Sequence, residues 1–324
     1  MPLLEVKNLS VAFHTYLGKV HAVRNVSFCV EKGETVALVG ESGCGKSATA
    51  QAIMGLIPQP PGLVEAGEIF FDDKELLKKS KKELQQVRGK EIGMIFQDPM
   101  TSLNPTMKMG RQVMEGLIKH QKLTCTQAEE QVIALFKLVG ISEPEKRMWQ
   151  YPYEFSGGMR QRAMIAIALS CNPKLLIADE PTTALDVTIQ AQILELMQEV
   201  QKKMNMSIIL ITHDLGIVAG MCDRVIVMYG GQIVESGSVE QIYTNPQHPY
   251  TQGLLRSVPR LDMQKGKELI PIHGTPPNLL NPPAGCSFCS RCEFAMRICK
   301  NICPTLENTE DRHQVACWLR KKDE

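Results

Sequence analysis

The 324-residue sequence has little excess charge of either sign, few aromatic residues and no long apolar run. Its 36 Lys and Arg residues nearly balance 35 Asp and Glu residues, and aromatic residues make up 5%. Nucleic-acid-binding proteins carry a basic surplus, so the net charge of +1 predicts no nucleic-acid partner. No apolar run approaches the ~20 residues of a membrane-spanning helix. The amino terminus, MPLLEVKNLS, lacks the profile of a secretory signal, and we expect a soluble, cytoplasmic chain.

The rest of the composition is that of an ordinary globular protein. Apolar residues make up 44% and charged residues 22%, in a chain long enough for one large domain with an appendage, or for two domains. Five of the eleven cysteines are scattered, and in a reducing compartment such cysteines are usually small buried apolar side chains. The other six crowd into the last 39 residues: Cys286, Cys289, Cys292, Cys299, Cys303 and Cys317.

Apolar patterns predict an α/β fold. Residues 3–35 alternate apolar and polar side chains, which is typical of antiparallel strands with one buried face. Continuous apolar runs predict buried strands at 35–40, 91–96, 174–179, 207–212 and 224–229. Helices are predicted at 46–57, 127–139, 158–170 and 187–204. Buried strands that alternate with helices indicate a parallel sheet covered on both faces.

The composition of the sequence changes near residue 244, where it becomes rich in proline and loses the regular apolar pattern. Such a change is typical of a domain boundary. We therefore predict one domain over 1–250 and a small, irregular, cysteine-rich C-terminal domain over 251–324.

The segment GESGCGKS at 40–47 matches the phosphate-loop pattern G-x-x-x-x-G-K-[ST]. Gly40 and Gly45 permit backbone conformations in which successive N–H groups converge on phosphate oxygens. Lys46 can reach the β- and γ-phosphates, and the Ser47 hydroxyl can bind Mg²⁺. A strand precedes this loop and a helix follows it, so it predicts a nucleotide site. The residues expected at the nucleotide are Gly40, Ser42, Gly43, Cys44, Gly45, Lys46, Ser47 and Ala48.

Two carboxylates end the predicted strand in LLIADE at 175–180. Asp179 emerges at the carboxyl end of the strand, where ligands bind in open α/β sheets, and a carboxylate there can hold Mg²⁺. Glu180 follows and could activate an attacking water as a general base. Together with the phosphate loop, this pair predicts hydrolysis of the nucleotide.

A third candidate for anion binding is FSGGMRQR at 155–162. Ser156, Gly157 and Gly158 precede a predicted helix whose amino end would expose free N–H groups. The same residues are also common as helix caps. The composition of the segment leaves both interpretations open.

These three motifs and three further short motifs each occur once, in the same order as in one known family. Over residues 3–250 the chain resembles the nucleotide-binding subunit of an ATP-binding-cassette (ABC) transporter. The resemblance implies a P-loop fold with a parallel sheet core, an antiparallel β subdomain and a helical subdomain. The shared elements are the phosphate loop, Gln97 in MIFQDP, the signature at 155–159, Asp179–Glu180, TALD at 183–186 and His213 in ITHD.

The resemblance also implies roles for individual residues. Gln97 would contact Mg²⁺, together with Ser47 and Asp179, and the surface that faces the transporter. Asp186 would couple two nucleotide sites. His213 would contact the γ-phosphate, although a histidine here could also be a capped strand end.

An aromatic residue ahead of the phosphate loop normally stacks on adenine in this family. Tyr16 is our choice for that residue, with Phe13 as the alternative.

The family geometry implies a dimer. Ser156, Gly157 and Gly158 of one subunit would close over the ATP bound to a second ABC ATPase subunit, identical or related. ATP hydrolysis, with Glu180 and His213 as the catalytic residues, would reopen the pair. Two transmembrane permease subunits would respond to that change, with the chain peripheral at the cytoplasmic face of the membrane.

Within the family, the chain closely resembles the ATPase subunits of dipeptide and oligopeptide importers, whose substrate is delivered by an extracytoplasmic binding protein. Nickel importers of the same subgroup are an alternative. A non-transport cassette ATPase of DNA repair or translation is a rival, as is a regulatory protein that uses ATP only as a switch. The first rival should carry paired cassettes or nucleic-acid inserts, and the sequence has neither.

The cysteine-rich tail predicts a metal site, because residues 281–324 offer too few large apolar side chains for a core of their own. Spacing alone, which is similar to the ferredoxin pattern, nominates Cys286, Cys289, Cys292 and Cys303. The subgroup resemblance instead implies that a [4Fe–4S] cluster is held by Cys286, Cys292, Cys299 and Cys317. We adopt the second set. We expect the cluster to be a structural staple, with redox sensing as the alternative.

Overall fold

The computed structural model describes residues 1–183, 185–257, 271–309 and 312–323. Ala184 of the TALD motif and residues 258–270 of the proline-rich stretch lie outside the described residues. The chain forms two compact units. The first comprises Met1–Val30, Thr35–Leu77 and Thr212–Glu324, and the second comprises Glu31–Glu34 and Lys78–Ile211.

The described residues form twelve β-strands and twelve α-helices. The strands are β1 (Leu4–Thr15), β2 (Gly18–Val30), β3 (Thr35–Val39), β4 (Gly62–Phe71), β5 (Lys74–Glu75), β6 (Ile92–Ile95), β7 (Leu175–Asp179), β8 (Ser207–Thr212), β9 (Arg224–Tyr229), β10 (Gln232–Ser238), β11 (Glu307–Asn308) and β12 (Gln314–Val315). The α-helices are α1 (Lys46–Ile53), α2 (Lys81–Val87), α3 (Pro99–Ser102), α4 (Met109–Gly116), α5 (Cys125–Leu138), α6 (Pro144–Arg147), α7 (Gly157–Leu169), α8 (Val187–Met204), α9 (Leu215–Met221), α10 (Val239–Thr244), α11 (Pro249–Arg256) and α12 (Arg297–Asn301).

The first unit contains an antiparallel sheet in the order β2-β1-β4-β5. The alternating pattern of residues 3–35 produces it, because alternate side chains such as Leu4 and Val6 are buried on one face. Strand β1 pairs along its length with both β2 and β4. This sheet is the predicted antiparallel β subdomain.

A second group of strands in the first unit follows the order β11-β12-β10-β9-β3. Strands β3 and β9 are parallel, and every residue in them except the half-buried Arg224 is buried, as expected of strands covered on both faces. Strand β12 pairs antiparallel with β10, so the end of the chain extends the sheet that carries the phosphate loop. The C-terminal residues therefore fold into the first unit, and a separate cysteine-rich domain is not confirmed.

An aromatic cluster lies in the core of the first unit. Tyr229, Tyr250 and Phe288 are each at most 3% exposed, and their ring centroids lie 4.5–5.3 Å apart. Tilted and edge-on arrangements at such distances are favourable for aromatic rings. Apolar side chains of β3, β9 and α9 complete the core, including Val39, Val227 and Leu215.

The second unit contains parallel strands in the order β8-β7-β6, together with helices α2–α8. Helix α7 packs tightly on β6 at Gly93, where a Cβ would lie 2.5 Å from the Ala168 carbonyl oxygen. Asp186 caps helix α8, which buries Ile193, Met197 and Val200. Because β6 and β7 are parallel neighbours, their carboxyl ends meet at the same edge of the sheet.

The predicted α/β class is confirmed, with parallel and antiparallel pairing mixed. The five predicted buried strands form β3, β6, β7, β8 and β9 within one residue of their predicted bounds. Helix α1 ends at Ile53, short of the predicted residue 57, because Gly55 adopts a φ of 61° and Pro58 follows. None of the helices in the described residues could span a bilayer. The boundary at residue 250 stays a prediction.

Candidate functional site

The phosphate loop connects β3 to α1 through three glycines with positive φ: Gly40 at 150°, Gly43 at 78° and Gly45 at 102°. A Cβ on Gly40 would lie 2.2 Å from the Met228 carbonyl oxygen, and one on Gly45 would lie 2.3 Å from that of Ala22. Glycine is therefore required for packing as well as for conformation. The loop is held close against β9 and β2.

Lys46 lies inside this loop. Its side chain is buried, with the residue 5% exposed, and Nζ donates to the carbonyl oxygens of Gly40 at 2.7 Å and Glu41 at 3.1 Å. These carbonyls keep the ammonium group at the loop. A cation in this position attracts the β- and γ-phosphates of a nucleotide.

The other loop residues divide into exposed and buried sets. Ser42 and Gly43 are exposed at the tip, whereas Ser47 and Ala48 are half-buried in the first turn of α1. Cys44 is buried, and burial raises the pKa of its thiol, so the side chain packs behind the loop as a neutral group. Its backbone N–H donates to the Glu41 carbonyl oxygen at 3.4 Å.

The two candidates for adenine stacking differ in exposure. Tyr16 is 96% exposed in the turn between β1 and β2. Phe13 is half-buried within β1 and packs toward Gly62. Only Tyr16 therefore presents a whole ring to solvent.

His213 is exposed immediately after β8. The next residue, Asp214, caps α9 by accepting a hydrogen bond from the Gly216 N–H at 2.8 Å. Asp214 thus provides the cap of α9. The two interpretations of His213, as a γ-phosphate contact or as a capped strand end, both stay predictions.

In the second unit, Asp179, Glu180 and Gln97 gather at the edge where β6 and β7 end. Asp179 is the last residue of β7 and is 5% exposed. Gln97 Nε2 donates to Glu180 Oε2 at 3.0 Å, and Thr183 Oγ1 donates to the same oxygen at 2.9 Å. Carboxylate and amide oxygens are the ligand types that Mg²⁺ prefers. This donor set therefore fits the predicted ion.

The signature segment opens helix α7. Ser156 caps the helix, with Oγ accepting from the Met159 N–H at 3.3 Å. Ser156 and Gly157 are exposed, and nothing lies within 4 Å of a Cβ built on Gly157. The segment is thus a helix cap, and its amino end remains accessible, as an anion site requires.

Asp186 caps helix α8 in the same unit. Its Oδ1 accepts from the Ile189 N–H at 3.0 Å, and the residue is exposed. The structure gives it a local capping role. The predicted coupling of two sites would involve a second subunit and stays a prediction.

Four of the six C-terminal cysteines, Cys286, Cys292, Cys299 and Cys317, lie close enough for three of the thiols to affect the pKa of Cys286. Burial, opposed by the Phe288 N–H, raises the pKa of Cys286 to about 12, and the thiols of Cys299, Cys317 and Cys292 add to that rise. The Cys286 N–H also donates to the Cys299 carbonyl oxygen at 2.8 Å.

The remaining two cysteines of the tail differ from each other in their surroundings. Cys303 lies beside Gln232, whose Nε2 donates to its Sγ at 3.5 Å. Cys289 is a neighbour of Cys299 and Cys292. The choice between the set implied by the resemblance and the set implied by spacing stays a prediction.

No three His, Cys, Asp or Glu side chains converge on a single metal-ion position in the described ranges. Such convergence is required of a site for one zinc ion. A four-iron cluster takes one thiolate on each iron, so its ligands stand further apart. The iron–sulfur ligands therefore stay a prediction.

Two functional features were not evident from the sequence. Arg291, between two of the C-terminal cysteines, forms a bidentate ion pair with Glu41 of the phosphate loop, with N–O distances of 2.7 and 3.0 Å. The Tyr250 hydroxyl accepts from the Glu41 N–H at 2.8 Å. These contacts join residues that are 250 and 209 positions apart, so no local sequence pattern could have signalled them.

The fold and the loop define a P-loop ATPase of the ABC class. The ABC transporter family model matches residues 23–183, and the model for the oligopeptide/dipeptide transporter C-terminal region matches 234–299. The chain belongs to the ABC transporter family, and it is an ATP-hydrolysing subunit that energises transport.

Individual relatives extend this match over nearly the whole chain. The oligopeptide transport ATP-binding protein OppD of Bacillus subtilis is 60% identical over 99% of this chain and 90% of its own length. The dipeptide transport ATP-binding protein DppD of the same organism is 56% identical over 98% of this chain and 95% of its own length.

Solved structures support the fold. A dimeric post-hydrolysis state of the ATP-binding cassette MJ0796, bound to ADP and Pi, matches with a TM-score of 0.66 and 25% identity over 73% of this chain and 98% of that one. The structure of cbiO1 from Clostridium perfringens matches with a TM-score of 0.64 and 30% identity over 75% of this chain and 91% of that one.

Proposed function

We propose that the chain energises the import of dipeptides or oligopeptides. The main support for this proposal is that the chain is 60% and 56% identical to two peptide-transport ATP-binding proteins over 98–99% of its length. The match at 234–299 to a region named for oligopeptide and dipeptide transporters adds to it, because that region lies beyond the segment matched by the general ABC model.

ATP binding is assigned to the phosphate loop. The N–H groups of Gly43, Gly45, Lys46 and Ser47 are directed by the positive-φ glycines and by the start of α1, and they would bind the β- and γ-phosphates. The buried Lys46 ammonium would neutralise phosphate charge. The exposed Tyr16 ring would stack on adenine, and Gly40, Ser42, Cys44 and Ala48 would complete the cradle.

Hydrolysis is assigned to Glu180 acting as general base. Its carboxylate is oriented by Gln97 and Thr183 and would take a proton from the attacking water, while His213 would donate a hydrogen bond to the γ-phosphate. Ser47, Gln97 and Asp179 would hold Mg²⁺, which supplies charge neutralisation at the phosphates. General-base catalysis typically contributes about 10²–10⁴-fold to the rate.

We assign the accessible amino end of α7 to a second nucleotide. Ser156, Gly157 and Gly158 would bind the γ-phosphate of ATP held by a partner ATPase subunit, identical or related. Asp186 would couple the two sites. The dimeric state of the solved relative MJ0796 supports this arrangement.

The membrane partners follow from the family. Two transmembrane permease subunits would bind the ATPase pair, which would lie peripherally at the cytoplasmic face. An extracytoplasmic peptide-binding protein would select the substrate and would act on this chain only indirectly.

The C-terminal cysteines are assigned to a [4Fe–4S] cluster with Cys286, Cys292, Cys299 and Cys317 as ligands. The mutual proximity of these thiols and the separate environment of Cys303 support this set. Thiolates are the ligands of such clusters, and a metal staple suits a segment with few apolar side chains. We assign the cluster a structural role.

The test is purification of the native complex followed by measurement of its ATPase activity. The proposal expects co-purification of two permease subunits and ATPase activity that rises when a peptide-loaded binding protein is added. Stimulation by a nickel-loaded binding protein alone would exclude the peptide assignment. An intact complex without ATPase activity would favour the rival role of ATP as a switch.

A further inference from the structure

Glu41, the second residue of the phosphate loop, is fixed at three points. Its N–H donates to the Tyr250 hydroxyl at 2.8 Å, and its carbonyl oxygen accepts from Lys46 Nζ at 3.1 Å. Its carboxylate accepts two hydrogen bonds from Arg291, with Oε2 2.7 Å from Nη1 and Oε1 3.0 Å from Nη2. Such a bidentate pair fixes geometry as well as charge.

Arg291 is itself held rigidly by the first unit. Nη1 also donates to the Tyr229 hydroxyl at 3.2 Å, and Nη2 donates to the Ile272 carbonyl oxygen at 3.0 Å. Nε donates to the His273 carbonyl oxygen at 2.9 Å. All five N–H donors of the guanidinium group are thus used, and its side chain is 4% exposed.

The segment that carries Arg291 is anchored to the same core as the loop. Phe288 is 3% exposed and packs edge-on against Tyr229, with ring centroids 5.2 Å apart. Ser287 Oγ donates to Gln232 Oε1 at 2.9 Å. The backbone around Cys289 and Cys292 therefore holds the arginine in a fixed place relative to Glu41.

We infer that Arg291 is a positioning residue of the nucleotide site, acting through Glu41 to hold the phosphate loop in its binding conformation. The inference rests on the proposed role of this loop in ATP binding. Glu41 precedes the amides that would contact phosphate, so release of its side chain leaves their direction less fixed. Binding of ATP then has to restore the loop conformation, and affinity falls.

The inference predicts a selective effect on nucleotide affinity. In the full-length chain, Arg291→Gln raises the Kd for Mg–ATP by about tenfold, within the range lost with a charged hydrogen-bond pair. Glu41→Gln gives a similar rise. The double variant is no weaker than either single variant, because both changes break the same contact.

Two further variants separate positioning from folding. Arg291→Lys keeps the charge but lacks the planar fork, so it recovers only part of the affinity. Arg297→Gln removes an exposed arginine of the same segment and leaves the Kd unchanged. In the assembled complex, Arg291→Gln raises KM for ATP and leaves kcat at saturating ATP within about twofold of the unmodified complex.

The outcomes are distinguishable. If the unmodified chain does not bind Mg–ATP, the proposed nucleotide site fails. If it binds Mg–ATP and Arg291→Gln binds equally well, only the positioning role fails. A lower Tm with an unchanged Kd for the folded fraction, or a double variant whose loss is the product of the single losses, also overturns the positioning role.

Discussion

The Gln97 side chain donates a hydrogen bond from Nε2 to Glu180 Oε2 at 3.0 Å. Because the Gln97 amide nitrogen points at the carboxylate, the amide oxygen is the atom of this side chain that is suited to bind Mg²⁺. Glu180 has a φ of 46°, an uncommon conformation for a residue other than glycine. Strained backbone of this kind clusters at functional sites, in agreement with the role proposed for Glu180.

Replacing the proposed general base should abolish turnover but not binding. Glu180→Gln keeps the shape of the side chain and removes its ability to accept a proton. We expect kcat for ATP hydrolysis to fall by about 10²–10⁴-fold, while Mg–ATP remains bound. Phosphate release and retained nucleotide would be measured in the assembled complex.

The matched control for this variant is Glu195→Gln. Glu195 is an exposed residue of α8 in the same unit, and its neutralisation should leave hydrolysis unchanged. Fast hydrolysis by Glu180→Gln would remove Glu180 from the role of general base.

Removing the loop cation should weaken nucleotide binding. Lys46→Met retains much of the apolar stem and removes the ammonium group, which is held by the Gly40 carbonyl at 2.7 Å. Hydrogen bonds to charged groups contribute about 1.5–3 kcal/mol, so Mg–ATP affinity should fall by about ten- to a hundredfold. Equilibrium binding measures this change, with exposed Lys74→Met as the control. Equal affinity of both variants would contradict the assignment.

Iron content separates the two cysteine sets. Cys299→Ser and Cys317→Ser should lose iron and acid-labile sulfide, because each removes a proposed cluster ligand. Cys303→Ser should keep both, since Cys303 Sγ lies beside Gln232. Cys125→Ser, exposed and far from the tail in sequence, is the control. Loss of iron in Cys303→Ser together with its retention in Cys317→Ser would favour the spacing-based set.

The sequence predicted what depends on local pattern. The buried strands follow from continuous apolar runs, and the phosphate loop follows from two glycines and a lysine at fixed spacing. It could not predict that Arg291 pairs with Glu41, because 250 residues separate them and packing of the whole first unit brings them together. Pairing of β12 with β10 was missed for the same reason. A strand of two residues has no periodicity to read.

Acidification should destabilise the first unit through His248. This residue is 1% exposed, and its Nδ1 accepts a hydrogen bond from the Tyr250 N–H at 3.0 Å, which requires a neutral ring. Burial, opposed by the charge of Glu235, lowers the pKa of His248 to about 4. In the unfolded chain His248 takes up a proton near pH ~6.5. Its contribution to the free energy of unfolding is therefore fully present above that pH and is lost as the pH falls toward the folded-state pKa of about 4.

The slope of this loss is at most about 1.4 kcal/mol for each pH unit. His248→Asn keeps an acceptor for the Tyr250 N–H and does not titrate, so its Tm should fall less between about pH 7 and about pH 5. Thermal unfolding across that range measures the difference. Parallel curves for the two proteins would show that His248 does not contribute.

Peptide transport by the reconstituted complex tests the central claim most directly. The complex would be placed in proteoliposomes with a binding protein loaded with a labelled oligopeptide, and Mg–ATP would be supplied on the side of this chain. The account predicts peptide movement across the bilayer that requires ATP and is lost in Glu180→Gln. ATP hydrolysis without peptide movement, or movement that is equal in Glu180→Gln, would contradict it.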